Sequence, residues 1–173
     1  IRDTGALPKS PYLFCYFLDA KNAGTYLKTA KKLAGQKGLK LINIVTRYRP
    51  SLISRGAKLD VGPEEFLGLL ANADYVCTDS FHGTAFAILL NTDFSTFVPS
   101  VNGTDQRKQN LAESVGLKSR IVYADTQNAD SGKIDYSAVN DRVADIRNKS
   151  RQTLSDLLHQ NGKRDESEEI YKQ

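Results

Sequence analysis

Methionine is absent from the 173 residues, and cysteine and histidine occur only twice each. The lack of Met is unusual for a whole natural protein of this length, so the chain is expected to be a domain of a longer one. Cys15 and Cys77 stand alone inside apolar runs with no Cys-x-x-Cys pair. This excludes a disulfide framework and favours two buried free thiols in a reducing compartment. His82 and His159 are far apart, with no neighbouring Cys or carboxylate at ligand spacing, so no metal and no cofactor is expected. The longest apolar runs, such as Ala85 to Leu90, fall far short of the roughly 20 residues that span a bilayer. No basic and then apolar leader opens the chain, so a cytoplasmic location without a transmembrane segment is expected.

Acidic residues are missing from one long stretch. Between Lys21 and Lys58 there are ten Lys and Arg and not one Asp or Glu. The remainder carries 14 basic against 20 acidic residues, so the net charge of +4 hides a strong internal asymmetry. An anionic partner is implied. Nucleic acid is not expected, because no recognised motif is present and the basic stretch has few aromatics for base stacking.

What is present is a regular alternation of strand and helix. Tyr12 to Leu18 is a continuous apolar run of the kind found in strands buried on both faces. Asp19 and Asn22 offer caps for a helix from about residue 22 to Leu33, with Tyr26, Leu27, Ala30, Leu33 and Ala34 on its apolar stripe and Lys28, Lys31 and Lys32 on a solvated face. Gly35 and Gly38 are expected to stop it, and Leu39 to Thr46 reads as the next strand. Arg47 to Asp60 reads as a loop. Pro63, Glu64 and Glu65 open a second helix, favoured by fixed φ and by the helix dipole. Tyr75–Thr78, Phe94–Val98 and Ile121–Tyr123 read as strands, Gly83–Leu90 and Gln106–Val115 as helices. A last amphipathic helix is expected from Ser137 to His159. The expected division is a domain over residues 1–160 and a polar tail over 161–173.

This pattern predicts an α/β fold, a Rossmann-like parallel sheet flanked by helices. Ligands of such sheets bind at the carboxyl ends of the strands, near a switch in strand order. Four loops are therefore candidates: Asp19 to Asn22, Arg47 to Asp60, Asp79 to Thr84, and Pro99 to Arg107. The third carries Thr78-Asp79-Ser80-Phe81-His82-Gly83-Thr84, a strand end turning into an apolar helix. Free N–H groups at a helix start attract anions, by roughly 0.3 to 1 kcal/mol from the dipole. Ser80 and Thr84 are expected to add hydroxyls, and Gly83 to admit a ligand close to the backbone. His82 is either a proton donor and acceptor near neutral pH or a structural cap. His159 is expected to be a solvated or packing residue. Arg47, Arg49 and Arg107 are candidate anion ligands, since a guanidinium offers a planar fork to phosphate or carboxylate. Glu64 serves the helix dipole or reaches a bound sugar or ribose. No Gly-x-Gly-x-x-Gly, P-loop or Gly-x-Ser-x-Gly motif supports dinucleotide, NTPase or serine hydrolase chemistry.

The segments Asp60-Val61-Gly62-Pro63-Glu64-Glu65-Phe66-Leu67, Asn72-Ala73-Asp74-Tyr75-Val76 and Asp79-Ser80-Phe81-His82-Gly83-Thr84-Ala85-Phe86, followed by Arg107 to Leu111 and Gly116-Leu117, resemble the carboxyl-terminal half of polysaccharide pyruvyl transferase family proteins. The resemblance implies the second Rossmann-like domain of a two-domain, GT-B-like fold. It also implies transfer of a pyruvyl group from phosphoenolpyruvate to a sugar hydroxyl in cell-surface polysaccharide biosynthesis. The partners it implies are phosphoenolpyruvate, a saccharide acceptor and a missing amino-terminal domain, without which the fragment is expected to be inactive. His82 matches the family histidine, expected to be the general acid. Several family members have an Arg two residues before it, where this chain has Ser80, so Arg47, Arg49 or Arg107 is expected to substitute. Two alternatives stay open: a glycosyltransferase-like nucleotide-sugar-binding domain, and a non-catalytic sugar- or anion-binding module.

Overall fold

In the computed structural model, residues 8–45, 57–58, 61–100, 106–124, 129 and 132–170 are described, with side chains omitted at 57–58 and 160–170. The strands are β1 (Tyr12–Tyr16), β2 (Lys40–Ile44), β3 (Ala57–Lys58), β4 (Tyr75–Thr78), β5 (Phe94–Val98) and β6 (Ile121–Tyr123). The helices are α1 (Ala23–Lys37), α2 (Pro63–Ala71), α3 (Phe81–Leu89), α4 (Gln106–Ser114) and α5 (Tyr136–Ile170). All six strands pair in parallel, in the order β3-β2-β1-β4-β5-β6. This is the doubly wound Rossmann order, and it places the switch point between β1 and β4.

Side-chain alternation sorts the helices onto the two faces of the sheet. Leu13, Cys15, Tyr75, Cys77, Phe97 and Val122 form one buried layer with Tyr26, Leu27, Ala30 and Leu33 of α1. On the opposite face Phe66 of α2 meets Phe14 and Tyr16 edge-on, at ring-centroid separations of 5.7 and 4.9 Å. Helix α3 shares that face, where the Thr84 hydroxyl bonds to Thr96 Oγ1 at 2.8 Å. Cys15 and Cys77 are register partners on β1 and β4, both buried and free as expected. Burial pushes the Cys15 thiol well above its ordinary pKa, which keeps it protonated and inert.

Several boundaries differ from the expectation. Strand β3 lies inside the stretch read as loop; its two residues are too few for any periodicity to show. Helix α1 runs through Gly35 and stops at Gly38, whose φ of 65° is the left-handed conformation that glycine tolerates. The Leu39 N–H then closes on Ala34 O at 2.9 Å. Helix α3 begins at Phe81, so His82 is helical rather than part of the preceding turn. Helix α5 passes His159 and runs to Ile170, through residues read as a polar tail. Contacts divide the chain into a unit of Ile1–Ile134, which holds the whole sheet, and a second of Asp135–Gln173, which is α5. Among the described residues no helix is long and apolar enough to cross a membrane.

Gly83 is the tightest point of this packing. A Cβ there would sit 2.6 Å from Thr78 Oγ1, a buried oxygen already fixed by its bond to Tyr16 O at 2.7 Å. Gly83→Ala is therefore expected to cost about 1 to 3 kcal/mol through overpacking, despite alanine's better helix propensity. Gly24 of α1 has open space around its Cβ position, so Gly24→Ala is expected to be neutral or stabilising by up to about 1 kcal/mol. Urea unfolding midpoints of the two variants check the contrast.

Candidate functional site

Where β1 and β4 end side by side, the chain leaves in opposite directions, to α1 on one face and α3 on the other. Their parting opens a cleft of about 410 Å³ at the carboxyl edge of the sheet, within the range of small-molecule sites. Its walls come from the loop after β1, the β4–α3 turn, Pro99 after β5 and the start of α4. Three of the four candidate loops thus meet there. The fourth, with Arg47 and Arg49, lies almost wholly outside the described residues.

Asp79 organises the floor. Its two carboxylate oxygens accept the Leu18 and Asp19 N–H groups, each at 2.7 Å, which pins the exit of β1 to the exit of β4. Burial raises the Asp79 pKa above the usual carboxylate value, outweighing the two amides and the Lys108 charge that pull it down. Lys108 of α4 is itself buried and donates to Asp79 O at 2.7 Å and Phe97 O at 3.2 Å. Asp19 is next. Burial acts to raise it, but the Asn22 side chain, the Lys21 and Asn22 amides and Lys108 together hold it below its ordinary value. Asp19 is therefore a charged carboxylate at the cleft that braces the turn before α1, with Lys21 N–H at 2.9 Å and Asn22 Nδ2 at 2.7 Å.

The anion-attracting rim is the start of α3. Ser80 caps the helix, its Oγ accepting the Gly83 N–H at 3.3 Å, while the Thr84 N–H bonds to Ser80 O at 3.0 Å. The amides of Phe81 and His82, first in the helix, have no hydrogen-bond partner among the described residues. His82 is exposed and lines the cleft, its ring edge-on to Phe81 at 5.7 Å. Arg107 also lines it, with its guanidinium 5.9 Å from the centroid of the Phe81 ring. Phe81 thus carries an imidazole and a guanidinium on one aromatic support.

Three expectations are corrected. Thr84 is fully buried and its hydroxyl bonds to Ser80 O and Thr96 inside the fold, so it faces the sheet rather than the cleft. Gly83 makes room for Thr78, not for a ligand. Glu64 stands exposed on the first turn of α2 and does not line the cleft. Ser80 does line it, though its oxygen serves as the helix cap. Lys108, Asp19, Asp79 and Tyr26 complete the cleft without having been singled out as site residues.

Residues 7–99, more than half of the chain, match the family model of polysaccharide pyruvyl transferase. The chain belongs to the polysaccharide pyruvyl transferase family. The match ends at Pro99, so within the family region the cleft is formed by the β1 and β4 loops, and α4 lies beyond it. No curated protein matches the sequence. Among solved structures, UDP-GlcNAc 2-epimerase from Methanocaldococcus jannaschii is similar, with 16% identity and a TM-score of 0.46 over 79% of this chain and 39% of that one. The same organism's UDP-GlcNAc 2-epimerase in complex with UDP-GlcNAc and UDP is 15% identical, with a TM-score of 0.45 over 80% of this chain and 45% of that one. The chain thus spans less than half the length of either.

The Asp79 clamp is directly testable. Asp79→Asn presents one acceptor and one donor to two N–H groups that both need an acceptor, and leaves one of them unpaired. A loss of about 1 to 3 kcal/mol is expected, measured by urea unfolding. A loss below about 0.5 kcal/mol would show that the β1 and β4 loops do not depend on the carboxylate.

Proposed function

We propose that this domain transfers a pyruvyl group from phosphoenolpyruvate to a saccharide, with His82 as the general acid. The observation that carries the reading is the convergence on one cleft of His82, Arg107 and two α3 amides without a partner among the described residues, in a chain of the pyruvyl transferase family. Phosphoenolpyruvate is a small dianionic phosphate ester with a carboxylate. The helix start and Arg107 are cationic or N–H-rich groups suited to it, and Arg107 takes the place of the arginine that Ser80 replaces. Arg47 and Arg49 remain further candidates for the same anion.

The chemistry requires a proton on the methylene carbon of the enol. His82 donates it, and the resulting cation at C2 is attacked by a sugar hydroxyl oxygen. A second hydroxyl of the acceptor then takes the place of the phosphate, whose C2–O bond breaks with the electron pair leaving on oxygen. Of the two hydroxyl protons released, one replaces that given by His82 and the other leaves with phosphate. The product is a pyruvyl ketal. Developing charge on the departing phosphate would be stabilised by the α3 amides and Arg107. The cleft lies at the carboxyl edge of the sheet, and we assign its other wall to an amino-terminal domain in a GT-B-like arrangement.

Isothermal titration of the full-length protein with phosphoenolpyruvate and with a panel of nucleotide sugars tests the donor. Binding of phosphoenolpyruvate is expected; tight nucleotide-sugar binding without it would overturn the reading in favour of a glycosyltransferase-like domain. His82→Asn is expected to keep donor affinity while turnover falls at least about 10²-fold. Unchanged turnover would make His82 a structural residue. Arg107→Met is expected to weaken phosphoenolpyruvate binding by about tenfold, the loss of one charge-assisted contact.

A further inference from the structure

Tyr26 carries a buried hydroxyl with no hydrogen-bond partner among the described residues. The residue is 1% exposed, and its ring is fixed between Phe17 and Phe97 at centroid separations of 5.5 and 5.1 Å. It also lines the cleft. A buried phenol usually finds a partner, since an unsatisfied one costs about 1 to 3 kcal/mol. Its position explains what that partner must be.

Both Asp19 and Asp79 lie close enough for their charges to act on the phenol, yet neither is hydrogen-bonded to it. Burial first, and then these two carboxylates, push the Tyr26 pKa far above the ordinary tyrosine value. The group is therefore an O–H donor in a cleft that two carboxylates also line. An anionic oxygen placed there would accept from Tyr26 but would face two carboxylates against the Lys108 cation, whose ammonium is committed to the Asp79 and Phe97 carbonyls. A neutral hydroxyl accepts from Tyr26 and donates its own proton to Asp19 or Asp79, each of which retains lone-pair capacity beyond the N–H groups it already accepts.

We infer that Tyr26, with Asp19 and Asp79 beside it, forms a subsite for an uncharged hydroxyl group of the ligand. The cleft is then divided by charge: an acidic floor that takes a polyol, and a rim at α3 and Arg107 that takes the anion. That the polyol is the transferase acceptor rests on the pyruvyl transfer reading; the subsite itself rests on Tyr26.

The test is Tyr26→Phe in the full-length protein, which removes one oxygen and nothing else. Methyl glucoside, methyl galactoside and N-acetylglucosamine serve as uncharged probes, with phosphoenolpyruvate as the anionic one, in calorimetric titrations and in a ketal-forming assay. The expected result is a roughly 3- to 10-fold loss of affinity for whichever saccharide binds the wild type. Phosphoenolpyruvate affinity and the melting temperature should be unchanged or slightly higher, because the variant buries no orphan hydroxyl. Unchanged saccharide affinity, a loss confined to phosphoenolpyruvate, an equal loss of both, or a marked fall in melting temperature would each overturn the subsite. So would failure of the wild type to bind any of the three saccharides. If the wild type forms no ketal while Tyr26→Phe still weakens saccharide binding, the pyruvyl transfer reading fails and the subsite stands.

Discussion

The cleft depends on one carboxylate. At the switch point β1 and β4 lie side by side but their chains diverge, and divergence strands the N–H groups that follow β1 with no neighbouring strand to accept them. Buried backbone donors left in that state are rare because they are costly. Asp79 resolves the problem from the adjacent strand, taking Leu18 and Asp19 together. Lys108 then sits against the Asp79 carbonyl and keeps the floor from carrying uncompensated negative charge. The groups that line the cleft, Asp19, Tyr26 and the start of α3, are placed around this junction.

The same junction gives the cleft its polarity. Parallel strands all point their carboxyl ends to one edge, and the helices that follow all begin there, so positive helix ends gather at that edge by construction. Asp19 and Asp79 oppose this locally. Asp19 is held in its charged form by the Asn22 side chain and the Lys21 and Asn22 amides, which it accepts in the turn before α1, so a turn-bracing carboxylate is also an electrostatic element of the cleft. The α3 end, capped by a neutral Ser80, keeps two amides in reserve. The approaches to the two helix starts thus differ in charge, with a carboxylate in the turn before α1 and a neutral hydroxyl capping α3.

The sheet was legible because a strand buried on both faces is predominantly apolar: β1 is so throughout, and β4 and β5 carry only Thr78, Ser95 and Thr96 as polar residues. The β4–α3 turn was legible because strand, polar turn and apolar helix follow one another without interruption. Lys108 was not. It lies in α4, whose sequence is polar nearly throughout, and periodicity in such a helix does not mark which residue turns inward. Its partners, Asp79 O and Phe97 O, are distant in sequence, and only the folded sheet brings them within reach. Tyr26 was read correctly as a member of the apolar stripe of α1, but a stripe gives the face of a residue and not the surroundings of its far end. The ring belongs to the core, and the same residue lines the cleft with a buried hydroxyl.

Charge shows the same gap between pattern and position. The acid-free stretch from Lys21 to Lys58 is the strongest charge feature of the sequence, yet Lys28, Lys31 and Lys32 lie exposed on α1. Exposed lysines act through water and salt, where two charges 4 Å apart interact by about 1 kcal/mol. Lys108 and Arg107 lie outside that stretch altogether. Lys108 is buried, and a buried cation acts through a medium of far lower polarizability than water, so one such residue shapes the cleft's potential more than several on the surface. The anion preference proposed for this domain therefore rests on the start of α3 and Arg107. The net charge of +4 is compatible with it but does not cause it.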